Sequence, residues 1–551
     1  MSATPPLSSR FATHEVENQP VALRDYNVWE GDAALREAVE REGGRWAADH
    51  LDEYGALAGG RLVDVGYTAN ENKPKLRSFD RYGRRIDEVE FHPAYHELMT
   101  EAMRYGMNGF AWRNANRAGA HVARAAVMYI GSQADAGVGC PMSMTYAAIP
   151  ALRHNPALAD KWVPKLISTE YDPRSVPMEQ KKGCTIGMGM TEKQGGSDVR
   201  ANTTRAIRQA DGSYELVGHK WFFSAPMCDA HLVLAQAQGG LSCFLVPRFR
   251  PDGSRNAVEI QRLKDKLGDW SNASSEVEFQ GALGELVGEE GRGIQVIIEM
   301  VALTRLDCMT GSSSQMRQAL VQALHHTRQR KAFGKLLIDQ PLMRNVLADL
   351  ALESEAAIAL TLRIARAIDT ASRDAHEAAL ARIATAIGKY WICKRAVPFV
   401  NEAQECLGGI GYVEETMMPR LYRQAPLNSI WEGSGNVQCL DVLRALRKEP
   451  ETRDALLAEL AAAKGMNGDY DAALASLPAM FDDVETMEFR SRAIVERAAL
   501  MLQGCVLLQS GQPDIAAAFC RSRLAGEHGL AFGTLHADAP VGLLIERAMA
   551  A

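Results

Sequence analysis

The feature that most constrains this chain is a change of texture partway along it. A β-rich stretch, from Cys184 to about Val287, lies between two long helical ones. Within it, short runs rich in β-branched and aromatic residues recur at Tyr214–Val217, His231–Ala235, Cys243–Val246, Val258–Gln261 and Val277–Phe279. Asp211-Gly212 and Asp252-Gly253 supply turn chemistry between some of them, which predicts antiparallel strands joined by short turns rather than βαβ units. From Asp32 to about Leu166 the pattern is helical, with Trp46, His50 and Leu51 at helical spacing. Pro5, Pro6 and Pro20 predict an extended arm over the first thirty residues, of a kind used between subunits. After Gly293 the helices are long. Leu342, Val346 and Leu350 share a face with Ile358, Leu362 and Ala365, and Pro341 opens that helix. A second runs from about His376 to Glu405 and stops before Leu407-Gly408-Gly409. Glu449-Pro450-Glu451 reads as a junction into an Ala/Leu-rich helical end.

Several function classes are excluded early. Lys plus Arg is 61 and Asp plus Glu 68, a net charge of −7, which does not suit a strongly basic nucleic-acid coater. No apolar run reaches the length of a membrane span, and Met1–Arg10 lacks the pattern of a signal peptide. The ten cysteines are scattered without a Cys-x-x-Cys pair, so a zinc ribbon is not expected and a reducing, cytoplasmic setting is. His92 and His96 stand four apart but have no companion ligands, so no metal is expected. The dinucleotide glycine fingerprint, the P-loop and the nucleophile elbow are all missing.

Four segments carry possible chemistry. Met188 to Val199 interleaves Gly189, Gly195 and Gly196 with the hydroxyls of Thr191 and Ser197, suiting a polar ring edge or a phosphate, or else a turn-rich link. His219 to Ser224 offers Trp221 and Phe222 as a flat wall for an aromatic cofactor, or as core. Arg328 to Lys335, with Gln340, offers Arg330 and Lys331 to a pyrophosphate, or forms a solvated helix end. The fourth joins Leu407–Tyr412 to Asn428–Asn436. There Glu432 sits between a bulky Trp431 and a flexible Gly433, where desolvation can make a carboxylate a usable base near neutral pH.

In this order and spacing the four segments resemble the acyl-CoA dehydrogenase flavoprotein superfamily. More narrowly, Gly187–Asn202, Val217–Ala237, Asn428–Leu443 and Glu17-Asn-Gln-Pro resemble its alkylation-response branch. The resemblance implies a mainly α fold with a central antiparallel β-barrel and an extra C-terminal helical domain. Its parts would be an N-terminal arm and helical domain (1–183), a barrel (184–290), a helical FAD-binding domain (291–445) and a C-terminal helical domain (446–551). It implies a homotetramer holding FAD, without a membrane association. Met188, Gly189, Met190, Thr191 and Ser197 would meet the flavin end, with Phe222, Phe223 and Ser224 beside the ring. Ile430, Trp431, Gly433, Ser434, Gly435 and Asn436 would complete that pocket. Arg330, Phe333, Gln340, Gly408 and Gly409 would hold the adenine-diphosphate end, often across a subunit contact. Glu432 would be the catalytic base, taking the α-proton of an acyl-CoA while a hydride leaves the β-carbon.

Two departures bear on activity. Lys193 stands where the family has proline, and Gly195 where alanine is common, so charge enters near the CoA channel. The implied activity is weak, on short branched substrates of the isovaleryl-CoA type. The branch also implies binding of double-stranded DNA through the C-terminal domain during the response to alkylation damage. Residues 451–551 hold eight Lys and Arg against fourteen Asp and Glu, so phosphate contacts would need a groove assembled from Arg444, Arg447, Lys448, Arg490, Arg492, Arg521 and Arg523. The alternatives are an ordinary catabolic acyl-CoA dehydrogenase without a DNA role, and a non-catalytic FAD scaffold.

Overall fold

The computed structural model describes residues 11, 13–482 and 484–550, so Pro5 and Pro6 of the expected arm lie outside the described residues. Eight helices come first: Ala33–Arg41 (α1), Ala48–Gly59 (α2), Arg61–Glu71 (α3), Pro93–Tyr105 (α4), Phe110–Arg113 (α5), Ala120–Ala134 (α6), Gly139–Leu152 (α7) and Pro156–Leu166 (α8). Their starts follow local chemistry. Asp32 accepts from the Leu35 N–H at α1, and Asn155 with Pro156 opens α8. His92 caps α4 by accepting from the Ala94 N–H, and His96 bonds the Tyr171 hydroxyl at 3.0 Å. Both histidines are thereby given structural work. A hairpin of Lys75–Phe79 (β1) and Arg85–Glu90 (β2) interrupts the helices, an element absent from the sequence reading.

The central segment contains Ile186–Gly189 (β3), Arg205–Arg208 (β4), Tyr214–Ser224 (β5), Ala230–Ala237 (β6), Gly240–Pro247 (β7), Val258–Leu263 (β8) and Ser274–Val287 (β9). Five of these close a ring, β6–β4–β5–β9–β7 and back to β6, around a core of Leu216, Phe223, Phe244, Val277 and Phe279. The expectation of antiparallel pairing needs one correction. β3 runs parallel to β6, from Ile186↔Ala230 to Gly189↔Val233, and β4 touches β6 in the same sense at Arg205↔Gln236. The chain leaving β3 passes through β4 and β5 before β6, and a strand reached by that route, rather than by a tight hairpin, is free to pair in parallel.

The remaining long helices are Gly293–Thr327 (α9), Pro341–Thr370 (α10) and Ala375–Glu405 (α11), with a small hairpin, Lys331–Ala332 (β10) and Lys335–Leu336 (β11), between α9 and α10. Asp374 starts α11 by accepting from the His376 and Glu377 N–H groups. Along α9, Thr310 and Ser312 to Ser314 are buried, where small residues let neighbouring helices approach. Ser314 donates to the Tyr129 carbonyl at 2.8 Å and Ser313 lies 3.2 Å from the Thr361 hydroxyl.

Then come Met418–Gln424 (α12), Gly435–Lys448 (α13), Pro450–Ala461 (α14), Gly468–Asp482 (α15), Ser491–Leu508 (α16), Pro513–Phe519 (α17) and Val541–Ala548 (α18). α13 runs on to Lys448 and α14 begins at Pro450, with Glu449 between them. The last five helices share one apolar core with the N-terminal helices. Ion pairs tie them down as well: Arg523 to Asp349 and Glu353, and Arg547 to Glu37 and Glu355 at 2.8 Å each.

Candidate active site

Glu432 occupies a left-handed turn, with φ +57° followed by +93° at Gly433. That conformation is unfavourable for a residue with a side chain, and three donors hold it. Lys389 Nζ from α11 donates to the Trp431 carbonyl at 2.7 Å and the Gly433 carbonyl at 2.5 Å. Gln438 Nε2 donates to the carbonyls of Glu432 and Gly433, both at 2.9 Å. Arg305 Nε from α9 reaches the Glu432 carbonyl at 3.1 Å, its guanidinium anchored on Asp441 at 2.6 Å. The carboxylate faces α9, where Oε2 lies 2.8 Å from the Thr304 hydroxyl. Burial pushes the Glu432 carboxyl above its ordinary range, with the Thr304 hydroxyl and the charges of Lys389 and Arg305 opposing. This is the environment of a proton acceptor. The sequence reading found Glu432 but missed its supports; the signal available was an isolated lysine in the apolar run Ala386-Ile387-Gly388-Lys389-Tyr390-Trp391.

The Thr191 loop has its own anchor. Glu192, next to Thr191, is buried inside the barrel against Lys220 at 2.8 Å. It also accepts from the N–H groups of Thr203 and Thr204. Burial alone would raise Glu192, yet Lys220 and these donors hold it at about 2. Lys220 also donates to the Leu234 carbonyl at 2.8 Å and the Met190 carbonyl at 3.4 Å, and burial lowers it to about 8 against the pull of Glu192. Trp221 N–H donates to the Thr191 carbonyl at 2.8 Å and Asn202 to that of Met190 at 2.9 Å, so loop and strand are fixed together.

The neighbouring aromatics divide. Phe222 stays half exposed at 54 %, with the Lys264 ammonium 4.6 Å from its ring centre. Phe223 turns into the barrel and stacks on His231 at 3.8 Å, so its side chain does not stand beside a ring outside the barrel. Trp221 is covered by the Lys264 ammonium 3.4 Å from its ring centre and is no bare wall. Ser224 Oγ lies 3.2 Å from Ser274 Oγ at the strand end. Ser197 is exposed.

Both halves pack against one apolar cluster, which holds Met188 of β3, Cys140 and Met144 of α7 and Met300 of α9, with Met190 just after β3 and Trp431 beside Glu432 against its flank. The Cys140 thiol, raised by burial to about 12, feels both Lys266 and Glu432.

The other expected cofactor residues lie elsewhere. Arg330 and Phe333 lie at the β10–β11 hairpin, and Gln340, the residue before α10, donates to the Ala332 carbonyl at 3.0 Å; the hairpin bonds the N-terminal arm, Arg330 donating to the Asn18 carbonyl and Lys331 N–H to Asn18 Oδ1 at 2.7 Å. Phe333 is fully exposed at φ +51°. Gly408, at φ +65°, and Gly409 face open space, where a side chain would meet nothing within 4 Å. Ile430 is exposed. Ser434 leaves the start of α13 without a side-chain cap, and Asn436 Oδ1 accepts from Arg492 Nε at 2.9 Å.

A planar cofactor with a phosphate tail fits these groups. The half-exposed Phe222, the Thr191 hydroxyl and the start of α13, which has no side-chain cap, present a ring edge, a polar group and anion donors.

Residues 18–173 match the N-terminal domain of the adaptive response protein AidB, residues 187–282 the acyl-CoA dehydrogenase middle domain, and residues 291–447 the acyl-CoA dehydrogenase C-terminal domain. AidB of Escherichia coli is 50% identical over 522 residues, covering 94% of this chain and 96% of its own length. The structure of ACDH-11 of Caenorhabditis elegans in complex with C11-CoA is similar at a TM-score of 0.85 and 26% identity, over 94% of this chain and 95% of that one. An acyl-CoA dehydrogenase from Bacillus anthracis complexed with FAD shares the fold, at TM-score 0.62 and 19% identity over 79% and 81% of the two chains. The chain therefore belongs to the acyl-CoA dehydrogenase family and, within it, to the AidB-like branch.

Proposed function

We propose that this protein is an FAD-dependent dehydrogenase of short, branched acyl-CoA thioesters, with Glu432 as its base. The observation that carries the reading is the Glu432 turn: a carboxylate raised by burial, held in a left-handed conformation by three donors, and sharing a cluster with the Thr191 loop. FAD, when bound, supplies the hydride-accepting ring. The rest falls to the chain. Among the described residues the Glu432 N–H has no protein acceptor, so it is available to polarise the thioester carbonyl and lower the cost of α-carbanion character. The Glu432 carboxylate takes the α-proton and becomes a neutral acid, while Met188, Met190 and Trp431 keep water out. Thr191, Phe222, Gly435 and Asn436 would hold the flavin, and Arg330, Phe333, Gln340, Gly408 and Gly409 of a neighbouring subunit its far end.

Isovaleryl-CoA added anaerobically to the purified protein is predicted to bleach the yellow flavin absorption. Glu432→Gln is predicted to slow that by about a hundredfold or more while the flavin stays bound. An unbleached wild type would leave the scaffold alternative; fast turnover of long straight chains would favour a catabolic enzyme.

A homotetramer belongs to the same reading, supported by the exposed apolar side chains Phe333, Leu342 and Tyr412. Light scattering is predicted to give four chains. A cytoplasmic setting is supported by ten buried, unpaired cysteines.

The AidB likeness supports a role in the response to DNA alkylation, with duplex DNA bound by its phosphates. Arg521 and Arg523 leave the expected groove, since Arg521 pairs with Glu527 and Asp538 and Arg523 is buried against Asp349 and Glu353. Arg444, Arg447 and Lys448 at the exposed end of α13 remain, with Arg490 bonded to the Thr486 hydroxyl and the exposed Arg492 to Asn436. Binding to labelled duplex is predicted to weaken steeply between low and physiological salt, and no binding at low salt would remove this role.

A further inference from the structure

Lys389 is 1 % exposed and sits mid-helix in α11. Among the described residues its ammonium forms no ion pair, and its hydrogen bonds go only to the carbonyls on either side of Glu432. Gln438 shows that a neutral amide can serve this same turn. Burying an ammonium costs several kcal/mol that a neutral donor would avoid, so the hydrogen bonds alone do not account for a lysine here. The charge does.

The surroundings identify which charge matters. From α9, Glu432 faces Thr304, Arg305 and the Cys308 thiol; from α7, the Cys140 thiol; from α11, Lys389. Both thiols are raised by burial and stay neutral. Asp441 of α13 neutralises Arg305 and also pairs with Arg382. Lys389 is left as the uncompensated positive charge, with Glu432 as its natural counter-ion.

We propose that Lys389 is a positioning residue for the base: it pins the left-handed turn through the Trp431 and Gly433 carbonyls and places a positive charge beside the Glu432 carboxylate. This rests on the dehydrogenase reading for its purpose. Its test needs no turnover.

In the FAD-loaded protein the Glu432 carboxyl is titrated by infrared difference spectroscopy, its band assigned by disappearance in Glu432→Gln. Lys389→Gln and Lys389→Met are predicted to raise the midpoint by about one pH unit or more, and Lys389→Arg to restore it. An unmoved midpoint in folded Lys389→Gln would reduce the lysine to a clamp and overturn the proposal. Should the neutral variants fail to fold, the double variant Lys389→Gln with Glu432→Gln, which keeps a donor for the turn, decides. A charge partnership predicts that removing the carboxylate restores folding and thermal stability; no restoration contradicts it. Failure of every thioester to reduce the wild-type flavin would count against the dehydrogenase reading instead, and leaves both of these readouts intact.

Discussion

Two buried charged residues, Lys389 and Lys220, stand behind the groups expected to meet ligand. Glu432 itself was legible, because a glutamate between tryptophan and glycine near the end of a recognisable series is distinctive. Its supports were not, since the choice of acceptor for a buried lysine depends on which helices cross, and sequence neighbours do not record that. Glu192 is the sharper lesson. It lies beside Thr191 in the same motif, yet its carboxylate points into the barrel to bind Lys220. Lys220→Met, which strands the Glu192 carboxylate without its partner, is predicted to cost about 3–5 kcal/mol in denaturant unfolding. The pair also sets an acid limit. Glu192 is held at about 2 against an ordinary 4.5, so its stabilisation is complete above about 4.5 and is lost as pH falls toward 2. Thermal midpoints measured across that window are predicted to fall with pH, and less in Glu192→Gln than in the wild type. Flavin reduction is predicted to run in the same direction: the proposed base works ionised, so the rate rises with pH through a carboxyl midpoint raised by burial.

Helix ends were read well and helix surroundings poorly. Pro341 opens α10 and Asp374 caps α11, which stops at Glu405 just ahead of Gly408 at φ +65°; these are local signals. The small residues of α9 gave no face, because a helix buried on all sides has no polar side to mark it. Parallel pairing of β3 with β6 was likewise invisible, being a property of two strands far apart in sequence. The same limit applies to α2, where Gly55 and Gly59 look like weak points. They instead form a groove for the arm: Val28 N–H donates to the Gly55 carbonyl at 3.1 Å, and a side chain on Gly59 would stand 2.0 Å from the Tyr26 carbonyl oxygen. Gly59→Ala is therefore predicted to lower stability by about 1–3 kcal/mol, although alanine is the better helix former. A stabilised variant would show that the arm is not seated there.

Across the whole molecule the C-terminal helices are integral. Their apolar residues belong to the same core as the N-terminal helices, and Arg523 and Arg547 tie them to α10 and α1. Arg523→Met is predicted to be strongly destabilising in thermal unfolding, because it leaves Asp349 and Glu353 buried without their shared cation, whereas Arg447→Ala should leave the melting temperature in place. The central claim is that Glu432 and the Thr191 loop serve one ring, with the carboxylate acting as base. It is tested most directly by incubating the FAD-loaded protein with isovaleryl-CoA in heavy water, without an electron acceptor, and following deuterium at the α-carbon by mass spectrometry. The prediction is exchange by the wild type and none above background by Glu432→Gln; equal exchange by both, or none by either, would contradict it.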